Sequence, residues 1–377
     1  MGFVEGEGTQ ESPYLIYTAS ELDLLGKCPY ELDKHYKLMA NIDLSGVVYS
    51  SAVIPSFEGA FNGNGKTISN LTVNGWSYLG LFGRLKSGAK VRDLGVTDVN
   101  ITGSSDIGGL AGENDDDVTG CYSTGTVTGG GSVGGLVGYC RYGSISTSYS
   151  TCMVTGSGNL GGLVGWNANS VIDMSYSTGK VTGTGGCVGG LVGFNSNGNI
   201  TCSGSTGAVM SEDYAVGGLV GRNRDGEVTY CYSTSGVSGD RWVGGLVGDN
   251  DSSIVASYST GAVTGNEIVG GLVGTTYDSI TACYSTGKVI GETRVGGLVG
   301  SAAGDVVTQC FWDVQTSGQT ESDGGAEKTT AEMHTAATFL DAGWDFVDET
   351  TNGTEDIWWI DEGKDYPKLW WELIPEN

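Results

Sequence analysis

Proline and histidine are scarce in this chain of 377 residues. Only five prolines occur, and none lies between residues 56 and 366. Because proline removes a backbone hydrogen-bond donor, such a long stretch without it is typical of an uninterrupted β-ladder. The two histidines, His35 and His334, offer few bases to activate a nucleophile, so no catalytic role is predicted for any cysteine.

Basic residues and long apolar runs are also few. The chain has 18 Lys and Arg against 44 Asp and Glu, a formal net charge of −26. That charge repels phosphate backbones and argues against nucleic acid as a partner. No apolar run reaches the roughly eighteen residues of a membrane span. The first residues, MGFVEGEGTQ, lack the apolar core of a secretory signal peptide.

Cysteine is present in an odd number, nine, and never as a CxxC pair. Neither a zinc site nor a thioredoxin-like motif is therefore predicted. Cys283 and Cys310 occupy equivalent positions in consecutive repeats, where strand geometry disfavours a disulfide. We expect free, packed thiols there.

Glycine is abundant, with 67 residues, and much of it belongs to a repeated pentapeptide. GGLVG occurs seven times, GGLAG begins at Gly108, and LGLFG at Leu79–Gly83 is a degenerate copy. From Gly108 onward the copies are spaced by 26 to 28 residues. A fixed period of this length predicts stacked supersecondary units. The seven copies begin at Gly134, Gly161, Gly189, Gly217, Gly244, Gly270 and Gly296.

Each period contains three short β-prone pieces separated by turn residues, as in VGGLVG, SITACYSTG and KVIG (residues 269–291). This pattern predicts an all-β fold, a single-stranded parallel β-helix with one coil of 26–28 residues per period. The pentapeptide glycines are expected to provide a corner with positive φ, or a thin wall where strands approach closely.

Equivalent residues of stacked coils should form columns. Strict alternation would point the tyrosine column inward, yet serine and cysteine exchange in the column beside it, which is typical of a tight buried site. A kink between them would reconcile the two signals, and both orientations stay open. The leucine column comprises Leu110, Leu136, Leu163, Leu191, Leu219, Leu246, Leu272 and Leu298. The tyrosine column comprises Tyr122, Tyr149, Tyr176, Tyr232, Tyr258 and Tyr284. A partial ladder of stacked amides is expected at Asn114, Asn167, Asn195, Asn223 and Asn250.

The two ends depart from the repeat, as the caps of a solenoid should. Residues 1–50 are predicted to form an N-terminal cap whose short helix begins at Thr18–Leu22. The coils are assigned to residues 51–312, and an acidic, tryptophan-rich C-terminal cap to residues 313–377, with a short helix around Thr330–Leu340. Trp370 and Trp371 suit an apolar cap and also a sugar-stacking platform.

Aspartates gather in two of the turns, and carboxylates beside asparagine oxygens are ligands that Ca²⁺ accepts. Their spacing matches neither an EF-hand nor the nonapeptide calcium repeat, so an ordinary solvated turn is the favoured interpretation. No other cofactor is predicted. The candidate calcium ligands are Asp115, Asp116, Asp117, Asp249 and Asp251.

GGLVG, with YSTG and VTG around it, resembles the GLUG repeat of bacterial cell-surface and secreted proteins. FEGAFNGNGKTISNLTV and the closing WWIDEGKDYPKLWW resemble sequence that flanks such arrays. The resemblance implies a right-handed, pectin-lyase-like parallel β-helix and an extracellular or cell-surface location. It implies no chemistry, and the HExxH motif of the peptidases that share the repeat is absent.

The favoured function is non-enzymatic: an extracellular β-solenoid acting as an adhesin, a stalk or a building block of a surface layer or filament. Its partners would be a second copy or a cell-surface glycan, and contacts would lie on the variable turns. The alternatives are a carbohydrate-binding module, or a polysaccharide lyase or hydrolase using acids such as Asp115–Asp117. The predicted contact residues are Tyr214, Arg241, Trp242, Arg294, Trp370 and Trp371.

Overall fold

Parallel strands stacked in register make up most of the molecule. The computed structural model describes residues 5–28 and 30–373; residues 1–4 and 374–377, at the outer edges of the two predicted caps, lie outside this range, as does Pro29. The coils form a β-solenoid of about ten turns, which confirms the predicted fold class. Parallel pairing starts before residue 51, because Tyr14–Ile16 pairs with His35–Leu38 and that strand pairs with Ala60–Ser69.

The pentapeptide does not form one strand but turns a corner between two sheets. Its first part lies in a nine-stranded sheet, called sheet 2, and its last part in a ten-stranded sheet, called sheet 3. The strands of sheet 2 are Ser77–Leu79, Ser105–Ile107, Val133–Gly134, Leu160–Gly161, Val188–Gly189, Tyr214–Gly217, Arg241–Gly244, Glu267–Gly270 and Thr293–Gly296. The strands of sheet 3 are Ile54–Phe57, Phe82–Leu85, Ala111–Asn114, Val137–Arg141, Val164–Ala168, Val192–Ser196, Val220–Arg224, Val247–Asp251, Val273–Thr276 and Val299–Ala302.

The remainder of each coil contributes to a third sheet, sheet 1, of 30 short strands. Its first row contains Tyr14–Ile16, His35–Leu38, Ala60–Ser69, Lys90–Thr102, Asp117–Thr119, Ser144–Ser146, Val171–Asp173, Asn199–Thr201, Val228–Thr229, Ile254–Val255, Ile280–Thr281 and Val307–Thr308. Its second row contains Ile42–Asp43, Tyr122–Gly129, Tyr149–Ser150, Tyr176–Ser177, Gly204–Ser205, Tyr232–Ser233, Tyr258–Ser259, Tyr284–Ser285, Phe311–Asp313 and Ala326–Lys328. Its third row contains Val48–Tyr49, Thr72–Asn74, Met153–Gly156, Val181–Gly183, Val209–Ser211, Val237–Ser238, Val263–Thr264 and Val289–Ile290. A regular coil therefore has up to five short strands where three were predicted.

Close approach of backbones explains the pentapeptide glycines. A Cβ atom at Gly134 would overlap the carbonyl oxygen of Val137, and one at Gly138 would overlap the backbone nitrogen of Ile107. None of the glycines in the seven pentapeptides has a positive φ. The thin-wall prediction is thus confirmed, and the alternative of a positive-φ corner is wrong.

A kink in sheet 1 settles the orientation of the tyrosine column. In one coil, Thr147 adopts a left-handed conformation with φ 46° between buried Ile145 and Ser148. The kink turns both of these side chains inward and leaves Tyr149 on the outer surface, so the inward orientation given by strict alternation is wrong. The stacked rings of Tyr122 and Tyr149 have centroids 4.8 Å apart, which is the strand spacing. The same conformation recurs at Met174, Cys202, Tyr230, Ala256, Ala282 and Gln309.

The core contains the predicted leucine column and a buried amide ladder. All eight leucines of that column are fully buried. The side-chain amide of Asn167 donates to Asn195 at 2.8 Å, Asn195 to Asn223 at 2.8 Å, and Asn223 to Asn250 at 2.9 Å. Because buried amides are costly unless bonded, this ladder fixes the register of successive coils.

Helix α1, Ala19–Lys27, lies at the N-terminal end. Thr18 and Glu21 form a capping box, as the predicted helix start requires, and Leu22 and Leu25 are fully buried in the solenoid core. At the other end, the indole of Trp312 covers Gly297, and its Nε1 donates to the carbonyl of Gln319 at 3.2 Å. Residues 314–328 thus close the last coil.

Residues 329–373 pack against the side of the rod, on the tyrosine column, instead of on its end. Trp344 and Trp358 bury their rings against Tyr284. The indole Nε1 of Trp371 donates to the carbonyl of Tyr230 at 2.9 Å. We call this segment the lateral strap. The helix predicted at Thr330–Leu340 is two short helices, because Thr335 has an extended backbone. Elements of this terminal part are the helices Val314–Ser317, Thr330–Met333 and Ala336–Leu340, the antiparallel strands Trp358–Trp359 and Lys368–Leu369, and the 3₁₀ helix Trp370–Leu373.

Candidate functional site

The best candidate site is a shallow cleft of about 430 Å³ at the corner between sheets 2 and 3. Because the pentapeptide walls are thin, residues flanking the corner on the two sheets lie beside one another. The sheet 2 side of this cleft supplies Ser105, Asp106, Ser132 and Asn159. The sheet 3 side supplies Glu113, Tyr139, Arg141 and Trp166.

Glu113, Tyr139 and Trp166 of the sheet 3 side belong to one column, formed by the residue that directly follows each pentapeptide. Strand pairing places these residues in register from coil to coil. Three aromatic rings lie next to one another in the column, and charged residues flank them on both sides. The column was not predicted from the sequence, although its composition can be read directly from the aligned repeats. In order it comprises Arg84, Glu113, Tyr139, Trp166, Phe194, Arg222, Asp249, Thr275 and Ser301.

The three aromatic rings stack along the rod. The centroids of Tyr139 and Trp166 are 4.9 Å apart, and those of Trp166 and Phe194 are 5.7 Å apart. The indole Nε1 of Trp166 is buried and has no hydrogen-bond partner among the residues that the structure describes. An unsatisfied buried donor is uncommon, and because the atom itself is buried, it is not exposed to a ligand in the cleft.

One buried and one half-buried carboxyl group, those of Glu113 and Asp106, mark one end of the cleft. Glu113 lies 3.0 Å from Nε of Arg84 and 3.3 Å from Nη2 of Arg141. Burial raises the pKa of Glu113, with Asp115 adding to the rise and the two arginines opposing it. Burial also raises the pKa of Asp106, whereas hydrogen bonds with Ser105 and Ser132 and the charge of Arg84 lower it. Both carboxyl groups are therefore poorly solvated and have hydroxyl or guanidinium groups beside them.

A second charged cluster lies in the same column, on the other side of the aromatic rings. Arg222 contacts Asp249 at 3.1 Å and Asp251 at 3.3 Å. Asp249 is 3% exposed, and burial raises its pKa to about 6. Asp249 is thus a buried acid whose ion-pair partner, Arg222, is partly exposed.

Three of the predicted contact residues come together on sheet 2. The rings of Tyr214 and Trp242 meet edge to face with centroids 5.5 Å apart. The guanidinium of Arg241 lies 4.8 Å from the Trp242 ring and 3.6 Å from Glu267. Arg294 is exposed and lies further along the rod, beside a separate shallow pocket. Their role as partner contacts stays a prediction.

The two C-terminal tryptophans differ in environment. Trp371 stacks on Tyr232 with centroids 5.4 Å apart and holds the lateral strap, whereas Trp370 is 37% exposed. The stack on Tyr232 occupies one face of the Trp371 indole, and the role of both tryptophans as partner contacts stays a prediction.

The candidate calcium ligands bond to other groups of the protein. Asp115 pairs with Arg141 at 3.1 Å, and the carboxylate of Asp117 accepts from the hydroxyl of Ser144 at 2.8 Å. Asp116 accepts from the backbone of Gly88 at 2.6 Å, and Asp249 and Asp251 share Arg222. Within residues 5–28 and 30–373, no group of three or more His, Cys, Asp or Glu side chains could hold a metal ion.

The cysteines are free and mostly buried. The backbone N–H of Cys283 donates to the sulfur of Cys310 at 3.3 Å, so the predicted free thiols at these positions are confirmed. Burial raises the pKa of Cys140 and Cys187 to about 11. Such thiols stay protonated at neutral pH and are poor nucleophiles.

A family model described as the GLUG motif matches residues 103–128, 156–182, 212–238 and 265–290, that is, every second coil. The chain is therefore a parallel β-solenoid that carries GLUG repeats, as the sequence resemblance predicted.

Two relatives share part of the chain. Halomucin of Haloquadratum walsbyi is 33% identical over 158 residues, which is 38% of this chain and 2% of halomucin. A protein of Evansella cellulosilytica, provisionally named as a Gly-rich membrane protein, is 37% identical over 125 residues, 30% of this chain and 14% of that protein. The chain thus spans only a small part of both relatives.

Two solved structures are similar in outline. One is a protein from Bacteroides ovatus, provisionally described as an immunoglobulin A1 protease, with a TM-score of 0.47, 18% identity, and coverage of 98% of this chain and 95% of that one. The other is an IgA1 protease, with a TM-score of 0.45, 16% identity, and coverage of 90% of this chain and 25% of that one. Within the described residues, no helix is long and apolar enough to cross a membrane.

Proposed function

We propose that the chain is a non-enzymatic, extracellular stalk that carries an adhesive surface away from the cell. The observation that carries this proposal is the continuous in-register stack with both ends covered. About ten turns at roughly 4.8 Å give a rigid rod about 50 Å long. The names of the two relatives, halomucin and a Gly-rich membrane protein, support a surface location.

The covered ends favour a stalk or adhesin over a filament subunit. Open solenoid ends would expose unpaired strand edges and promote end-to-end growth. Here α1 lies at one end, and Trp312 with residues 314–328 lies at the other. The net charge of −26 also opposes the packing of copies side by side.

Negative-stain electron microscopy over a range of protein concentrations tests the stalk. We expect discrete short rods at every concentration, with calcium and with chelator. Rods that join into filaments as concentration rises would instead make the protein a building block. Antibody labelling of intact source cells tests the location, and labelling that requires permeabilised cells would refute a surface role.

A further inference from the structure

The cleft between sheets 2 and 3 has two chemically different walls. The rings of Tyr139 and Trp166 stack on each other, so their outer edges form one wall. The polar residues Ser132 and Asn159 belong to the other wall. Binding sites for small polar ligands combine an aromatic surface with a few well-placed polar groups. A pyranose ring, with apolar C–H faces and equatorial hydroxyls, has the matching amphipathic character.

Peptide binding by strand addition is excluded at this place. The strand Val137–Arg141 beneath the cleft already pairs with Ala111–Asn114 on one side and Val164–Ala168 on the other. An extended peptide needs an unpaired edge to gain main-chain hydrogen bonds. The available interactions are therefore those of side chains, which favours a glycan.

The charges at the cleft disfavour an acidic ligand. Asp106 and Glu113 line it, and the guanidinium of Arg141 is already shared between Glu113 and Asp115. Placing a uronate or phosphate here would bring like charges together in a poorly solvated site. The fit is therefore to an uncharged sugar.

We propose that this cleft binds a neutral oligosaccharide lying along the rod, with Trp166 at the centre of the site. The cleft crosses the coils of Asp106, Ser132 and Asn159, a span of about 14 Å with its flanking side chains. The carboxyl of Asp106 and the polar side chains of Ser132 and Asn159 supply bonds to hydroxyls, and Trp166 supplies apolar contact. This inference deepens the proposed adhesive role by naming its ligand class, and so rests on it.

Arginine contacts disfavour Glu113 as the general acid of a glycosidase. Both carboxylate oxygens of Glu113 lie within ion-pair distance of arginines, Arg84 and Arg141. A general acid must instead be free to deliver a proton to the glycosidic oxygen. Sugar hydroxyls can bond to such a fixed ion pair without breaking it.

Isothermal titration calorimetry on the whole chain tests the proposal. The probes are cellohexaose, xylohexaose, mannohexaose and chitohexaose, with hexagalacturonate as the acidic comparison. We expect at least one neutral probe to bind and hexagalacturonate not to bind. Trp166→Ala should weaken binding by about tenfold or more, and Trp76→Ala, which removes a tryptophan that is 79% exposed and outside the cleft, should not.

A second variant keeps the test decisive if Trp166→Ala does not fold. Asn159→Ala removes a half-buried side chain from the polar wall and should reduce affinity while leaving the circular dichroism unchanged. Any of three results would overturn the proposal. No neutral probe binds, hexagalacturonate binds more tightly than the neutral probes, or affinity is unchanged in both Asn159→Ala and folded Trp166→Ala. Release of new reducing ends would overturn the non-catalytic assignment. Electron microscopy and cell labelling do not depend on these titrations, so the stalk and the glycan site can fail separately.

Discussion

Loss of one amide from the asparagine ladder should destabilise several coils at once. Asn195 is fully buried, donates to the carbonyl of Gly198 at 2.7 Å and to Asn223 at 2.8 Å, and accepts from Asn167. Asn195→Ala removes all three bonds. The partner groups on Asn167, Gly198 and Asn223 are buried, so water does not replace the lost bonds. The exposed face of the rod is not altered.

The size of the effect follows from the number of orphaned groups. Each buried polar group left unbonded costs roughly 1–3 kcal/mol. The side-chain amide of Asn167 still donates a long hydrogen bond to the carbonyl of Ser170 at 3.4 Å, so this group does not become fully unbonded. The free energy of unfolding should therefore fall by about 4 kcal/mol. Asn195→Thr should cost about half as much, because threonine already occupies the ladder position after Asn250. There the hydroxyl of Thr276 accepts from Asn250 at 3.0 Å and donates to the carbonyl of Asp278 at 2.9 Å.

Equilibrium urea denaturation followed by circular dichroism measures these differences. Ser196→Ala, which changes a partly exposed side chain on the same strand, is the matched control and should stay within about 0.5 kcal/mol of the unmodified chain. A loss below about 1 kcal/mol in Asn195→Ala, or a greater loss in Asn195→Thr than in Asn195→Ala, would refute the ladder's role.

Three further changes test other parts of the structure. Gly189→Ala places a Cβ against the carbonyl oxygen of Val192 and should cost about 2–3 kcal/mol; an unchanged melting temperature would show that the wall can yield. Because burial raises the pKa of Asp249 from 3.8 to about 6, the folded chain binds this proton more tightly than the unfolded one, so stability should fall by up to about 3 kcal/mol as pH rises from about 4 to 7. Asp249→Asn should flatten that part of the pH profile of urea midpoints, and an identical profile would contradict the assignment. Trp371→Ala removes the stack on Tyr232 and should increase hydrogen exchange in residues 329–373 while leaving the coils protected; unchanged exchange would mean that the strap does not depend on this ring.

The same repeat thus combines constant and variable positions. Glycine and leucine of the pentapeptide recur because the thin wall and the core impose the same constraint on each coil. The residue after the pentapeptide points away from the core and varies from arginine to tryptophan to aspartate. Variation at an outward-pointing position on a rigid support is where binding specificity can be built.

The sequence by itself determined the solenoid, its period and its columns. Periodicity is local information: GGLVG and the asparagine that often follows it can be aligned by counting, and stacking then places equivalent residues together. The helix start at Thr18 was likewise readable, because a capping box needs only residues a few positions apart.

Only the tertiary structure decided the orientation of the tyrosines, the position of the strap and the existence of the cleft. The left-handed residue before each Ser/Cys position varies, for example Thr147 or Ala256, so no residue type announces the kink. The strap brings Trp371 to Tyr232, and the cleft joins Asp106 to Trp166 across coils and sheets. Such contacts depend on how separate segments pack in space, which a reading of local pattern does not contain.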